Sequence, residues 1–312
     1  MILSEDQQLG QATKLGSGTG MDAVTLRVGD LENMSSYYTQ ALALEPMAEK
    51  VANNATSEVH RVLGRGGVPF IRLIATPDLP PVDRRQPGLY HTAWLFPDRA
   101  GLAATVYHAA RGPRSRYVGA SDHLVSEAFY FTDPEGNGIE LYIDRDRSEW
   151  IYRNGEVAMD TIGIDPNAFL SEHLTEDAVD HAGRLPGMVG HVHLQVGDIG
   201  RAREFYVDAL GFEATLTGLR GALFASAGGY HHHVAMNTWH SRGAGPRAAT
   251  LGLGNVAVSV SGRDELDALG TRLRDRGLQF RDHGNTISVD DPWGTVVDLS
   301  VTGADASELL AR

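Results

Sequence analysis

The 312-residue chain is about twice an ordinary single-domain length, which points to two domains. Its 27 basic against 40 acidic side chains give a net charge of −13, which argues against a nucleic-acid or anionic-membrane surface. Cysteine is absent, so disulfides, thiolate metal sites and cysteine nucleophiles are excluded, whereas the 13 histidines call for an explanation.

In chain order, the first unit opens near residue 22. Leu26-Arg27-Val28-Gly29-Asp30-Leu31 ends a strand and begins an amphipathic helix carrying Tyr38 and Ala41-Leu42, with Glu45 beyond it. A second unit begins near residue 90 with a strand at His91. It closes on Phe131-Thr132-Asp133-Pro134-Glu135-Gly136-Asn137-Gly138-Ile139-Glu140-Leu141, in which Pro presets φ and Gly takes the positive-φ place of a hairpin. Residues 151–187 have no counterpart elsewhere and read as a linker. The third unit, near residue 190, repeats the first: Leu194-Gln195-Val196-Gly197-Asp198-Ile199, Tyr206, Ala209-Leu210 and Glu213 each fall 168 residues (194 − 26) after their matches. Gly211 caps its helix. The fourth unit, near residue 254, repeats the second, with Val289-Asp290-Asp291-Pro292-Trp293-Gly294-Thr295-Val296-Val297-Asp298-Leu299 as its hairpin. No apolar run reaches the roughly 18 residues of a membrane span. The start, Met1 to Asp6, lacks the basic and apolar regions of a signal peptide, so a soluble, cytoplasmic protein is expected.

Five segments carry a family resemblance when read in order: Gly88-Leu89-Tyr90-His91, Asp122-His123-Leu124-Val125-Ser126-Glu127-Ala128, Asp133 to Glu140, Gly190-His191-Val192-His193-Leu194, and Gly228-Gly229-Tyr230-His231-His232-His233. The chain resembles the vicinal oxygen chelate (glyoxalase/extradiol dioxygenase) superfamily, and within it most closely the two-domain bacterial catechol 2,3-dioxygenases. The resemblance implies an α+β fold of four βαβββ modules paired into two cupped β-barrel domains. The expected ranges are an N-terminal domain 1–150 (modules near 22–76 and 88–145), the linker 151–187, and a C-terminal domain 188–312 (modules near 188–240 and 250–302).

It also implies a metal held by two histidines and one carboxylate, a set that suits Fe(II) and leaves other positions open. One His comes from the first strand of one module; the second His and the Glu come from the first and last strands of its partner. The first module offers Ala23 and the fourth Asn255 and Asp298, so that pairing has no histidine and is expected to hold no metal. Only modules two and three complete the set, with His91, Glu140 and His191. Strand parity agrees, because Glu140 alternates with Ile139, Leu141 and Ile143, and His191 with Val192, Leu194 and Val196. Mn(II) would fit the same ligands.

His123, Phe129-Tyr130, Asp133-Pro134, Gly136 and Glu140 come close to the extradiol-dioxygenase signature, which departs only at Ser121. The resemblance gives Tyr130 a hydrogen bond to a metal-bound substrate oxygen and His123 a supporting role. It gives an acid–base function to a histidine in the last strand of module three. Counting back from Ala235 selects His232, whereas alternation with Val234 and Met236 would turn His231 and His233 inward. His193 shares the face of His191; His60, His108, His173 and His181 carry no motif. The function implied is Fe(II)-dependent extradiol cleavage of a catechol-type aromatic diol with O₂, with no nucleic-acid or membrane partner and room for a homo-oligomer. A non-oxidative isomerase, cyclase or lyase of the same fold is the alternative, and a ligand-binding or resistance protein a third reading.

Overall fold

The computed structural model describes residues 14–52, 58–301, 303 and 305–311; the N-terminal stretch Met1 to Asp6 discussed above lies outside them. Each repeat turns from strand to helix at a cap. Asp30, Asp98 and Asp198 accept hydrogen bonds from the backbone N–H of Asn33, Gly101 and Arg201, satisfying donors that a helix start leaves open. In the fourth repeat Gly262 offers no side chain, and Glu265 reaches back to Ser261 N–H instead.

Module one comprises β1 (Gly20–Met21), β2 (Val24–Val28), α1 (Leu31–Leu42), β3 (Glu45–Val51), β4 (Val59–Arg65) and β5 (Val68–Ala75). Module two comprises β6 (Gly88–Leu95), α2 (Arg99–Arg111), β7 (Arg116–Asp122), β8 (Ser126–Thr132) and β9 (Gly138–Asp144). The stretch read as a linker is built, not bare. It holds a small hairpin, β10 (Tyr152–Arg153) with β11 (Glu156–Val157), then β12 (Ile162–Gly163), α3 (Pro166–His173) and α4 (Glu176–Asp180). Module three follows with β13 (Met188–Gln195), helix α5 (Ile199–Ala202, continued by a π-helical turn Arg203–Ala209), β14 (Glu213–Leu216), β15 (Ala222–Ser226) and β16 (Val234–Asn237). Module four has β17 (Gly252–Val260), α6 (Arg263–Asp275), β18 (Phe280–Asp282), β19 (Thr286–Asp290) and β20 (Val296–Val301), and α7 (Ala306–Ala311) ends the described chain.

Two nine-stranded sheets result. One runs β12-β7-β8-β9-β6-β13-β16-β15-β14, joining modules two and three through antiparallel β6 and β13. The other runs β18-β19-β20-β17-β2-β5-β4-β3 with β1 on β17, joining modules one and four. The expectation of barrels is corrected here. Each sheet curls into a cup, but β12 does not pair with β14, nor β18 with β3, so the cups stay open along one side. The exposed edge β3 carries Glu45, Glu49 and Lys50, charges that discourage edge-to-edge pairing.

The module helices α1, α2, α5 and α6 share one core with both sheets and tie the modules the other way. Leu102, Ala103 and Val106 of α2 share one core with Ile139, Leu141 and Ile143 of β9 and Val192 and Leu194 of β13. Tyr38 of α1 donates 2.8 Å to Asp133 in the hairpin of module two, and Tyr206 donates 3.0 Å to Asp291 in that of module four. Both hairpin glycines, Gly136 and Gly294, have positive φ. The repeated Tyr and Asp thus form a clamp between consecutive modules. Burial pushes the Asp133 carboxyl up to about 6 despite hydrogen bonds from Asn137, Tyr38 and the Glu135 backbone. Tyr38→Phe removes one of those donors from a buried acceptor and should cost about 1–3 kcal/mol in urea unfolding, with metal binding unaltered.

Among the described residues no helix is long and apolar enough to cross a membrane.

Candidate metal centre and its cavity

Three adjacent strands, β9, β6 and β13, bring His91, Glu140 and His191 together at the base of one cup. On β6, Ala93 lies beside Glu140 of β9 and opposite His191 of β13, while His91 lies opposite His193. Irregularities in the β6–β13 register flank His191 and His193 and re-aim these side chains. Glu140 Oε2 lies 2.9 Å from His91 Nε2 and 3.2 Å from His191 Nε2, and all three residues are buried. Their ligand atoms lie within 4.8 Å of one another, and no other such group occurs among the described residues.

Burial alone would raise the Glu140 carboxyl, but the facing imidazoles of His191 and His91 hold it well below the usual range. Burial drives His191 down to about 4 against the pull of Glu140. At neutral pH the stable arrangement is therefore an ionised carboxylate facing a neutral His191 imidazole. Buried His91 Nε2 and His191 Nδ1 have no hydrogen-bond partner, although His91 Nε2 sits beside the carboxylate. Two imidazole nitrogens thus converge on one buried carboxylate oxygen, His91 Nε2 without a hydrogen bond, and a cation among the three would satisfy them. The N₂O donor set without thiolate fits Fe(II) or Mn(II).

The counterpart position in the other cup is hydrogen-bonded within the protein. Asn255 Nδ2 donates to Asp298 Oδ2, Ser288 Oγ donates to Asp298 Oδ1, and Ala23 packs against Val62 and Leu309.

A cavity of about 660 Å³ opens above the cluster, lined by His91, Glu140, Tyr130, His123 and His232. Tyr130 lies opposite Glu140 across the β8–β9 pair. Its Oη is 2.7 Å from His123 Nε2, and His123 Nδ1 is 2.7 Å from the Asp160 carbonyl. A carbonyl only accepts, so His123 Nδ1 carries the proton. In neutral His123, Nε2 then accepts from Tyr130 O–H and leaves the phenol oxygen's remaining lone pair for the cavity. Burial and the Glu140 charge raise the Tyr130 hydroxyl well above its ordinary value, so it stays protonated.

The histidine triplet is not in a strand. β16 begins only at Val234, so the parity argument for His231 and His233 does not apply. His232 is the member that lines the cavity, its ring centre 4.1 Å from that of His191 and tilted 53° to it. His231 turns to Asp144 and His233 to Ser226 Oγ and Ala227 N–H. His193 lies 2.9 Å through Nε2 from Asn237 Nδ2, its ring near those of Tyr90 and Trp239. His108 bonds the Val179 carbonyl and His181 caps within α4, both away from the cavity.

The sequence reading did not identify the apolar wall, formed by Val118, Met159, Leu216, Leu219, Phe224 and Trp239. Met159, Leu219 and Trp239 come from loops, where no periodic signal exists, whereas Val118, Leu216 and Phe224 come from strands β7, β14 and β15. Met159 and Asp160 lie in the stretch read as a linker.

Two open cups of paired βαβββ units, one with a His–Glu–His cluster at its base, define the class. Residues 20–141 and 188–299 match the family model described as the Glyoxalase/Bleomycin resistance protein/Dioxygenase superfamily, and the chain belongs to that family. It is similar to the Catechol-2,3-dioxygenase of Bacillus subtilis (strain 168), with 39% identity over 220 residues that span 67% of this chain and 73% of that protein. The fold is also that of maize (Zea mays) glyoxalase I, with TM-score 0.54 and 17% identity over 94% of this chain and 95% of the other. A candidate dioxygenase of Bacillus subtilis subsp. subtilis str. 168 superposes with TM-score 0.62 at 14% identity over 93% and 87%.

Proposed function

We propose that the protein is an Fe(II)-dependent extradiol dioxygenase that opens a catechol-type ring beside its two hydroxyls. One observation carries this reading: His91 and Glu140, clustered with His191, share a cavity wall with Tyr130 and His232. Kinship with a catechol-2,3-dioxygenase supports it.

In this reading His91, His191 and Glu140 would hold the iron, which when bound would supply the redox chemistry that couples the diol to O₂. The remaining work falls to the chain. Val118, Met159, Leu216, Leu219 and Phe224 enclose the ring and exclude water. The Tyr130 oxygen accepts a hydrogen bond from a diol hydroxyl and fixes the ring's orientation. His232, held neutral chiefly by burial, takes up the diol's second proton and returns it as the ring opens. Overall, both atoms of O₂ enter the product and the carbon–carbon bond next to the diol breaks, the hydroxyl-bearing carbon becoming a carboxylate and the other carbon an aldehyde or ketone at the far end of the opened chain.

Protein prepared anaerobically with Fe(II) should turn over catechols with one O₂ consumed per yellow ring-opened product. No oxygen uptake with any catechol of a panel would refute the reading in favour of a non-oxidative reaction. Loading with Mn(II) instead tests the metal. Tyr130→Phe should keep its iron and lose about 10²-fold in kcat; an unchanged kcat would remove Tyr130 from the chemistry.

A further inference from the structure

A hydrogen-bonded chain, buried except at the partly exposed Asp144, leads to the cavity from behind. Asp144 lies four residues after Glu140 on β9 and therefore on the same face. Its Oδ1 is 2.9 Å from His231 Nε2, and His231 Nδ1 is 2.8 Å from His232 Nδ1. The His231 ring is held between Tyr230 at 4.1 Å and Trp150 at 5.4 Å. Tyr230 is itself pinned by a 2.7 Å bond to Tyr142 Oη.

We propose that Asp144 and His231 are positioning residues that fix the ring orientation and tautomer of His232. A carboxylate accepts only, so His231 Nε2 carries a proton toward Asp144. Neutral His231 is then bare at Nδ1. Two imidazole nitrogens 2.8 Å apart need one proton between them, so His232 supplies it from Nδ1. His232 is thereby left with a lone pair on Nε2, on a ring that lines the cavity. No proton moves along the chain in this account; it selects which nitrogen is the base, as carboxylate–imidazole pairs do in other catalytic sites. The inference rests on the acid–base role proposed for His232, but its structural half can be read without turnover.

The experiment uses the full chain labelled with ¹⁵N-histidine and prepared metal-free, with His232 signals assigned by loss in His232→Gln. Wild type should show His232 protonated at Nδ1. Asp144→Asn and His231→Leu should shift that ring toward the Nε2–H form. With iron loaded, both should lower kcat by about 10–100-fold, with KM within about 2-fold and iron content unchanged. His231→Asn, whose side-chain oxygen can still accept from His232 Nδ1–H, should recover most of the loss seen in His231→Leu. A wild-type His232 protonated at Nε2, or a kcat insensitive to Asp144→Asn, overturns the proposal. Correct ¹⁵N shifts without any catechol turnover would refute the catalytic reading while leaving the tautomer assignment standing.

Discussion

Replacing His91 by alanine is expected to abolish metal retention and ring cleavage together while the protein remains folded. The side chain faces the cavity from the middle of β6, and its Nε2 makes no hydrogen bond that the fold would miss. Its loss leaves His191 and Glu140, a two-ligand set too few to hold a divalent ion firmly. Removing a group that merely orients a ligand typically costs about 10–100-fold in affinity or activity, so loss of a ligand should exceed 10²-fold. The matching control is Asn255→Ala at the equivalent place in the other cup. That change takes a hydrogen bond from Asp298 and should cost some stability, but it should not alter metal content. Elemental analysis after gel filtration, paired with an oxygen electrode, reads both outcomes. Iron retained by His91→Ala, or lost from Asn255→Ala, would refute a site built across modules two and three.

The positions of the candidate ligands were legible because strands and repeats leave periodic traces. The 168-residue offset (191 − 23) aligns His191 with Ala23, the hairpin repeat aligns Glu140 with Asp298 at an offset of 158 (298 − 140), and together they separate a histidine-bearing cup from one without. Strand alternation placed Ile139, Leu141 and Ile143 in the core opposite Glu140, where they lie. Tyr38, Tyr206, Asp133 and Asp291 were visible as repeated residues, but not as pairs. Tyr38 and Asp133 are 95 positions apart, and nothing in a hairpin motif announces a helix that will bond to it. The triplet from His231 to His233 defeated the parity argument because it precedes the strand, and an irregular loop has no period to read. Asp160 escaped notice for a different reason. It holds His123 through its backbone carbonyl, which any residue could supply. Whether a sheet closes into a barrel depends on its edges meeting, and side-chain alternation within strands carries no information on that.

Without metal, the protein should lose stability as the pH falls from about 6.5 toward 4. Burial lowers His191 to about 4 and His233 to about 3, and lowers His193 and His232 well below their ordinary value. In the unfolded chain each imidazole titrates near 6.5, so between these limits the unfolded state binds more protons than the folded one. Stability therefore rises with pH across that window and declines as acid is added. The displacement of His191 alone is worth on the order of 3 kcal/mol once its folded pKa is passed. Glu140 acts in the same sense at lower pH. Its folded carboxyl lies well below its unfolded value near 4.5, so its contribution is present above that value and lost as pH falls through the folded one. A bound divalent ion adds about 2.7 kcal/mol at a concentration 100 times its Kd. His191 and Glu140 are already deprotonated in the folded protein above pH 5, so protons compete with the ion through them only as the pH nears 4, and the metal's added stability should fall away there. Urea midpoints at pH 8, 6 and 5, with and without metal, measure both slopes. Metal-free midpoints that stay level or climb from pH 6 to 5 would mean that these histidines are not buried as neutral rings. A metal increment that persists unchanged when the series is extended to pH 3.5, below the folded value of His191, would instead mean that the ion is held somewhere other than by His91, Glu140 and His191.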